Sequence, residues 1–171
     1  ELLRKMAKSS RYRKCRVGGF VNEILPSETK QFAAVTVEMP DGTVYISFRG
    51  TDDTIIGWKE DFNLSNGIVP SHKRALEYLE KEGRYIQSML RIGGHSKGGN
   101  LAMYAAMQCG EEVQEKILSV YDNDGPGVPE GFFHGKDTEN GKIAYDQMEL
   151  AVQVAAEMGI SKIMVPNFLG N

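Results

Sequence analysis

The pentapeptide Gly94-His95-Ser96-Lys97-Gly98, followed by Gly99-Asn100 and an alanine-rich stretch, constrains this 171-residue chain more than any other feature. It stands where an apolar segment (Met89, Leu90, Ile92) gives way to residues at helical spacing: Leu101, Ala102, Ala105 and Ala106. A serine between two glycines at such a junction suits a sharp strand-to-helix turn. Glycines without Cβ atoms let strand and helix cross closely, and the hydroxyl is held out at the tip. With 19 glycines in the chain, chance alone supplies a Gly-x-Ser-x-Gly in roughly one such sequence in ten, so its placement carries the weight. Gly110 stands where a helix C-cap is expected. The competing reading is a glycine-rich loop that opens a helix and binds an anion at its N-terminus. A Walker A loop is excluded because Lys97 follows Ser96 and precedes Gly98, and the dinucleotide fingerprint Gly-x-Gly-x-x-Gly is absent from this turn. Lys97 is expected to offer its backbone N–H, with its ammonium in solvent.

The rest of the chain frames that turn. Residues 31–39, with Phe32, Val35 and Val37, and 43–48, with Val44, Ile46 and Phe48, read as strands. Pro40-Asp41-Gly42 between them is a strong turn signal, so an N-terminal antiparallel hairpin is expected. Ser71 is placed to cap a helix running to about residue 82, with Ala75, Leu76 and Leu79 on its buried side. A strand over 89–93, the helix after Ser96 and a strand over 117–121 follow. Past a loop through Gly125, Pro126, Gly127 and Pro129, the spacing of Ala144, Met148, Ala151, Ala155 and Met158 predicts a helix over about 142–158. Gly159 ends it, and Ile163-Met164-Val165 is the last strand. Strands alternating with helices imply an α/β fold, a mainly parallel sheet flanked by helices, in a single domain spanning residues 1–171.

A net charge of −3 gives no reason to expect a nucleic-acid partner. The basic opening between Arg4 and Arg16 reads as a solvated face. No apolar run approaches a membrane span, and no signal peptide is visible. Cys15 and Cys109 have no metal-ligand spacing and make no disulfide framework, so a reducing, cytoplasmic setting is expected, with no metal and no cofactor.

A second constellation follows the hairpin. Phe48-Arg49-Gly50-Thr51-Asp52 leaves a predicted strand, with Trp58-Lys59-Glu60-Asp61 shortly after. A backbone N–H and the Thr51 hydroxyl can converge on a developing oxyanion, and losing one such donor costs about 2.7–4 kcal/mol. Arg49, Trp58 and Asp61 read as structural, with Arg49 buried in an ion pair with Asp61. Asp122-Asn123-Asp124-Gly125-Pro126 lies just past a strand, where a carboxylate either orients a histidine or caps a turn. His134 is the one histidine after Ser96. His95 is expected to pack beneath the turn, and His72 lies in the helix before the strand.

Phe-Arg-Gly-Thr, then Trp-x-x-Asp, then Gly-His-Ser-x-Gly-Gly resembles the class 3 lipases of the α/β-hydrolase fold. The longer strings Phe48-Arg-Gly-Thr-Asp-Asp53, Gly94-His-Ser-Lys-Gly-Gly-Asn-Leu-Ala102 and Asn123-Asp-Gly-Pro-Gly127 are still more similar to one bacterial branch, the Mbeg1-like family. The resemblance covers about residues 17–128, and 132–140 fits no pattern. It implies an α/β-hydrolase-like domain and a serine ester hydrolase acting on a small-molecule or lipid acyl ester. Ser96 would be the nucleophile, and the Lys97 N–H and Thr51 the oxyanion hole. In class 3 lipases the acid usually follows a later strand, in an Asp-Pro-Val-Pro-like segment. Pro166-Asn167-Phe168 occupies that place here, which leaves Asp124 as first candidate and Asp122 as second. The family's histidine stands near the C-terminus in a Gln-His-Asp pattern, and this chain stops at Asn171 before it. The expectation is therefore a domain incomplete at its C-terminus, with the base beyond Asn171 and His134 as the lesser candidate. The segment 61–71 is too short for a large interfacial lid. The alternative function is a non-catalytic binding or interaction domain that keeps the hydrolase fold.

Overall fold

The computed structural model describes residues 2–28, 30–51, 67–126 and 162–166. In chain order these form α1 (Leu2–Lys8), β1 (Arg16–Leu25), a single 3-10 turn (Pro26–Glu28), β2 (Lys30–Glu38), β3 (Val44–Phe48) and α2 (Pro70–Tyr85). They continue with β4 (Leu90–His95), α3 (Lys97–Gln108), α4 (Glu111–Gln114), β5 (Ile117–Asn123) and β6 (Lys162–Pro166). Among the described residues the strands make one six-stranded sheet whose spatial order follows the chain from β1 to β6.

The hairpin forms as its turn chemistry requires. Asp41 Oδ1 accepts from the Thr43 N–H at 2.9 Å and from its hydroxyl at 2.7 Å, and Gly42 takes φ 86°. These bonds from Thr43 hold the Asp41 carboxyl below its usual range. The antiparallel register runs from Ala34 opposite Phe48 to Glu38 opposite Val44.

The sheet is mixed, not mainly parallel. β3, β4 and β5 pair in parallel, whereas β1–β2, β2–β3 and β5–β6 are antiparallel. Short connections force the first two antiparallel pairings, and helical crossovers give the parallel ones. β6 follows a connection long enough for either direction, and nothing in its apolar residues encodes which. β1 gives little sequence signal because Gly18-Gly19 interrupts it. A register shift between Gly18 and Val21 bulges the strand, Gly19 adopts φ 56°, and its carbonyl accepts from the Tyr78 hydroxyl at 2.6 Å.

α2 begins at Pro70, not at a Ser71 cap. Val69 is the N-cap, Pro70 takes the first helical position where its missing N–H costs nothing, and Ser71 is buried with its hydroxyl donating to the Gln31 carbonyl. Likewise Cys109 caps α3, and Gly110, at φ −65°, opens α4 instead.

The core lies between one sheet face and α2 and α3. Phe32, Phe48 and Tyr78 meet there with ring centroids 6.0–6.1 Å apart, joined by Ile46, Ile92, Ala75, Leu79, Leu101 and Ala105. The small residues of α3 let that helix sit low on the sheet. Arg4, Lys5, Lys8, Arg11, Arg13 and Lys14 are exposed, as a solvated face requires. No helix among the described residues is long and apolar enough to cross a membrane. The expected helix over 142–158, Trp58, Asp61, the 61–66 part of the segment read as too short for a large lid, and His134 lie outside the described residues.

Candidate active site

The parallel register decides what meets at the site. Phe48 pairs with Gly94, and Gly94 in turn with Asp122, so β3, β4 and β5 end level. The segments after them, Arg49-Gly50-Thr51, Ser96-Lys97 and Asp124-Gly125, therefore leave the sheet side by side at its carboxyl edge. In open α/β sheets, that edge is where ligands bind.

Ser96 stands between β4 and α3 as the N-cap, at φ 54° and ψ −129°. This is a sparsely populated region for a residue with a Cβ, costing on the order of 1–3 kcal/mol, and it persists only where the surroundings over-determine it. Here they do. The Ser96 N–H donates to the Asn123 carbonyl at 2.8 Å, and its own carbonyl accepts from Gly99 and Asn100 at 2.9 and 3.3 Å. Gly94 and Gly98 close the turn as the sequence leads one to expect. A Cβ on Gly98 would fall on the Phe48 carbonyl oxygen, and one on Gly94 would strike both Gly98 and that same oxygen. The strand-to-helix crossing thus excludes any larger side chain at both positions.

Gly50 brings the second constellation to the serine. A Cβ there would lie 2.7 Å from the His95 carbonyl oxygen and 3.7 Å from Ser96 Cβ, so the backbone leading into Thr51 runs directly against the turn. Lys97 begins α3, where first-turn N–H groups project from the helix end. Its side chain departs from expectation. It is 1 % exposed, and Nζ donates to the Gln31 carbonyl at 2.9 Å and to Gln31 Oε1 at 3.1 Å. The ammonium therefore ties α3 to β2 across the core and is not in solvent. Hydrogen bonding to a polar pair is what makes such burial tolerable.

Arg49 is exposed, which corrects its expected burial, and its expected partner Asp61 lies outside the described residues. The two aspartates differ sharply. Asp124 is exposed with φ 58°, a left-handed turn position that aspartate tolerates. Asp122 is 8 % exposed and packed against Gly99 and Gly125, with no room at either for a Cβ. Burial pushes its carboxyl up to about 6, the Gly125 N–H opposes that shift, and the Asp124 charge adds to it. Oδ1 has no hydrogen-bond partner among the described residues.

The histidines do not converge on Ser96 among the described residues. His95 is exposed, not packed beneath the turn, because side chains alternate along β4 and position 95 falls on the face away from α2 and α3. His72 is fully buried and engaged elsewhere: Nδ1 accepts from the Val69 N–H at 3.0 Å, and Nε2 lies 2.6 Å from Asn100 Oδ1. Sequence reasoning did not anticipate this His72–Asn100 pair. The two residues are 28 positions apart on different helices, and only the buried polar character of Asn100 in an apolar helix face hints at it.

A mixed α/β domain carrying a strained serine at the carboxyl edge of its parallel strands is the class of protein these observations define. The chain belongs to the Mbeg1-like family, whose model matches residues 6–152 and so takes in β1 to β5 and both motifs. No curated protein and no solved structure matches it.

Proposed function

We propose that this protein is a serine ester hydrolase of α/β-hydrolase type, similar to the class 3 lipases, that cleaves an acyl ester of a small molecule or lipid. The observation that carries the reading is the Ser96 backbone at φ 54° and ψ −129°, held by Asn123 and by two glycines that cannot be enlarged. A serine needed only for packing or turn formation gives no reason to sustain that strain. Ser96 Oγ attacks the ester carbonyl, and the oxyanion forms between the Lys97 N–H and Thr51. A histidine from outside the described residues, for which His134 is a candidate, accepts the proton. Asp124, exposed beside the Asn123 carbonyl that holds Ser96, is the carboxylate that orients that base, with Asp122 second. Two free cysteines favour a cytoplasmic setting.

A fluorophosphonate probe tests the proposal directly. Ser96 should be labelled and esters turned over in the wild type, with both lost in a folded Ser96→Ala variant. No labelling of Ser96 in a chain extended beyond Asn171 would sink the reading in favour of a non-catalytic binding domain on the same fold.

A further inference from the structure

One buried run of hydrogen bonds joins the start of α2, the second turn of α3 and the segment after β5. The Val69 N–H donates to His72 Nδ1 at 3.0 Å, which makes that nitrogen an acceptor and puts the imidazole proton on Nε2. Nε2–H then donates to Asn100 Oδ1, 2.6 Å away. That contact fixes which way the Asn100 amide faces and leaves Nδ2 to donate to the Pro126 carbonyl at 3.1 Å. His72 and Asn100 are both 0 % exposed, and the His72 ring rests on Tyr104 with centroids 4.7 Å apart. Each bond in the run sets the direction of the next.

The two ends of this run bracket the site. Asn100 is one helical turn beyond Ser96, and its own N–H donates to the Ser96 carbonyl. Pro126 lies two residues beyond Asp124. An apolar pair of similar size would fill the same space without the desolvation that a buried imidazole and amide entail. What the polar pair adds is orientation, because a satisfied buried network specifies one arrangement.

We propose that His72 and Asn100 are positioning residues that clamp the loop bearing Asp124 onto the helix bearing Ser96, so that the acid side of the site keeps a fixed place relative to the nucleophile. The proposal rests on the reading of Ser96 as a nucleophile and gives a role to two buried groups that reading leaves unused. Neither residue touches the ester. They act through the backbone at Pro126.

The full chain should be compared with its His72→Phe, Asn100→Leu and His72→Gln variants. The readouts are hydrogen exchange over residues 117–126, the thermal midpoint, the rate of Ser96 labelling by a fluorophosphonate, and kcat and KM for an ester. In His72→Phe and Asn100→Leu, exchange at 123–126 should speed up by about tenfold or more while β3 and β4 keep their protection. Labelling should slow by up to about a hundredfold, as expected when a reacting group is displaced by an ångström, with kcat falling and KM little changed. His72→Gln keeps an N–H donor at about the reach of Nε2 and should recover most of both. Should His72→Phe fail to fold, Asn100→Ser, too short to reach Pro126, makes the same comparison. Unchanged exchange at 123–126 in folded variants overturns the clamp, and faster exchange with undiminished labelling overturns its positioning role. If the wild type is not labelled at all, the nucleophile reading falls, while exchange still decides whether His72 and Asn100 hold the loop.

Discussion

Two tight turns in this molecule are built on opposite principles. The reversal between β2 and β3 closes itself. Asp41 accepts two bonds from Thr43, the Gly42 N–H donates to the Met39 carbonyl, and the one left-handed residue is a glycine. The turn between β4 and α3 does the reverse, placing a serine where a glycine would be comfortable and drawing its support from afar. Asn123 holds its amide, the Phe48 carbonyl sits in the space that Gly94 and Gly98 leave open, and the Gly50 backbone lies against it. A turn satisfied by its own residues says only that the chain reverses. A turn that is unfavourable locally and imposed by the rest of the fold says that a particular side chain had to be aimed.

The comparison breaks most readily at Gly98. Gly98→Ala would drive a methyl into the Phe48 carbonyl oxygen, a backbone atom fixed by pairing on both sides of β3. A loss of about 3 kcal/mol or more is expected, at the upper end of overpacking effects. Gly42→Ala in the hairpin meets no neighbour and is penalised only by its positive φ, so it should cost distinctly less. Chemical denaturation of both variants gives the order, and equal losses would show that the Ser96 turn is no more constrained than the hairpin.

Asp122 sharpens the comparison from beneath, since its carboxyl presses on Gly99 in the first turn of α3. Its value rises from an ordinary 3.8 to about 6 in the folded protein, burial being the main cause. Between those values the unfolded chain has released a proton that the folded chain retains. The stabilisation is therefore complete below about pH 4 and is lost as pH rises through 6. Asp122→Asn stays neutral throughout, so the decline in unfolding free energy from pH 4 to pH 7 should be smaller than in the wild type by about 2 kcal/mol. Denaturant titrations at four pH values measure it, and parallel curves for the two proteins would show that Asp122 is not desolvated as described. The hairpin offers the opposite sign. Asp41 is held below its ordinary value by Thr43, so what it contributes is lost as pH falls.

How much of this was legible in the residues follows from the same contrast. The hairpin was readable because Pro40-Asp41-Gly42 carries its turn chemistry within three positions. Ser96 and its flanking glycines were readable for a related reason, since the demand for missing Cβ atoms is written at the turn itself even though the atoms that impose it are distant. What stayed hidden depends on partners remote in sequence. Lys97 looks like a solvent-facing lysine until Gln31, 66 residues earlier, is found beside it. Ser71 has the composition of a cap, but Gln31 takes its hydroxyl and Pro70 starts the helix. The direction of β6 and the bulge in β1 are likewise settled by pairing, to which local propensity is blind. The candidate acid shows the limit most plainly. Asp122 and Asp124 are two residues apart in one string, yet one is buried and the other exposed, because the strand ends between them.

The smallest expected effect bears most directly on function. Ser96→Gly removes the one Cβ that makes this backbone conformation costly and retains the amide that donates to Asn123. Relief of the strain outweighs the extra freedom that glycine gives the unfolded chain, so the variant should be more stable than the wild type by about 1 kcal/mol. Ser96→Ala keeps the Cβ and with it the strain, and should stay near the wild type in stability. Both variants lose the hydroxyl and should lose fluorophosphonate labelling together. A gain in stability confined to Ser96→Gly, with reactivity absent from both, is the pattern of a residue kept under strain for its chemistry. A loss of stability in Ser96→Gly would mean that the serine is favourable where it stands, and the strongest structural argument for a nucleophile at this turn would go with it.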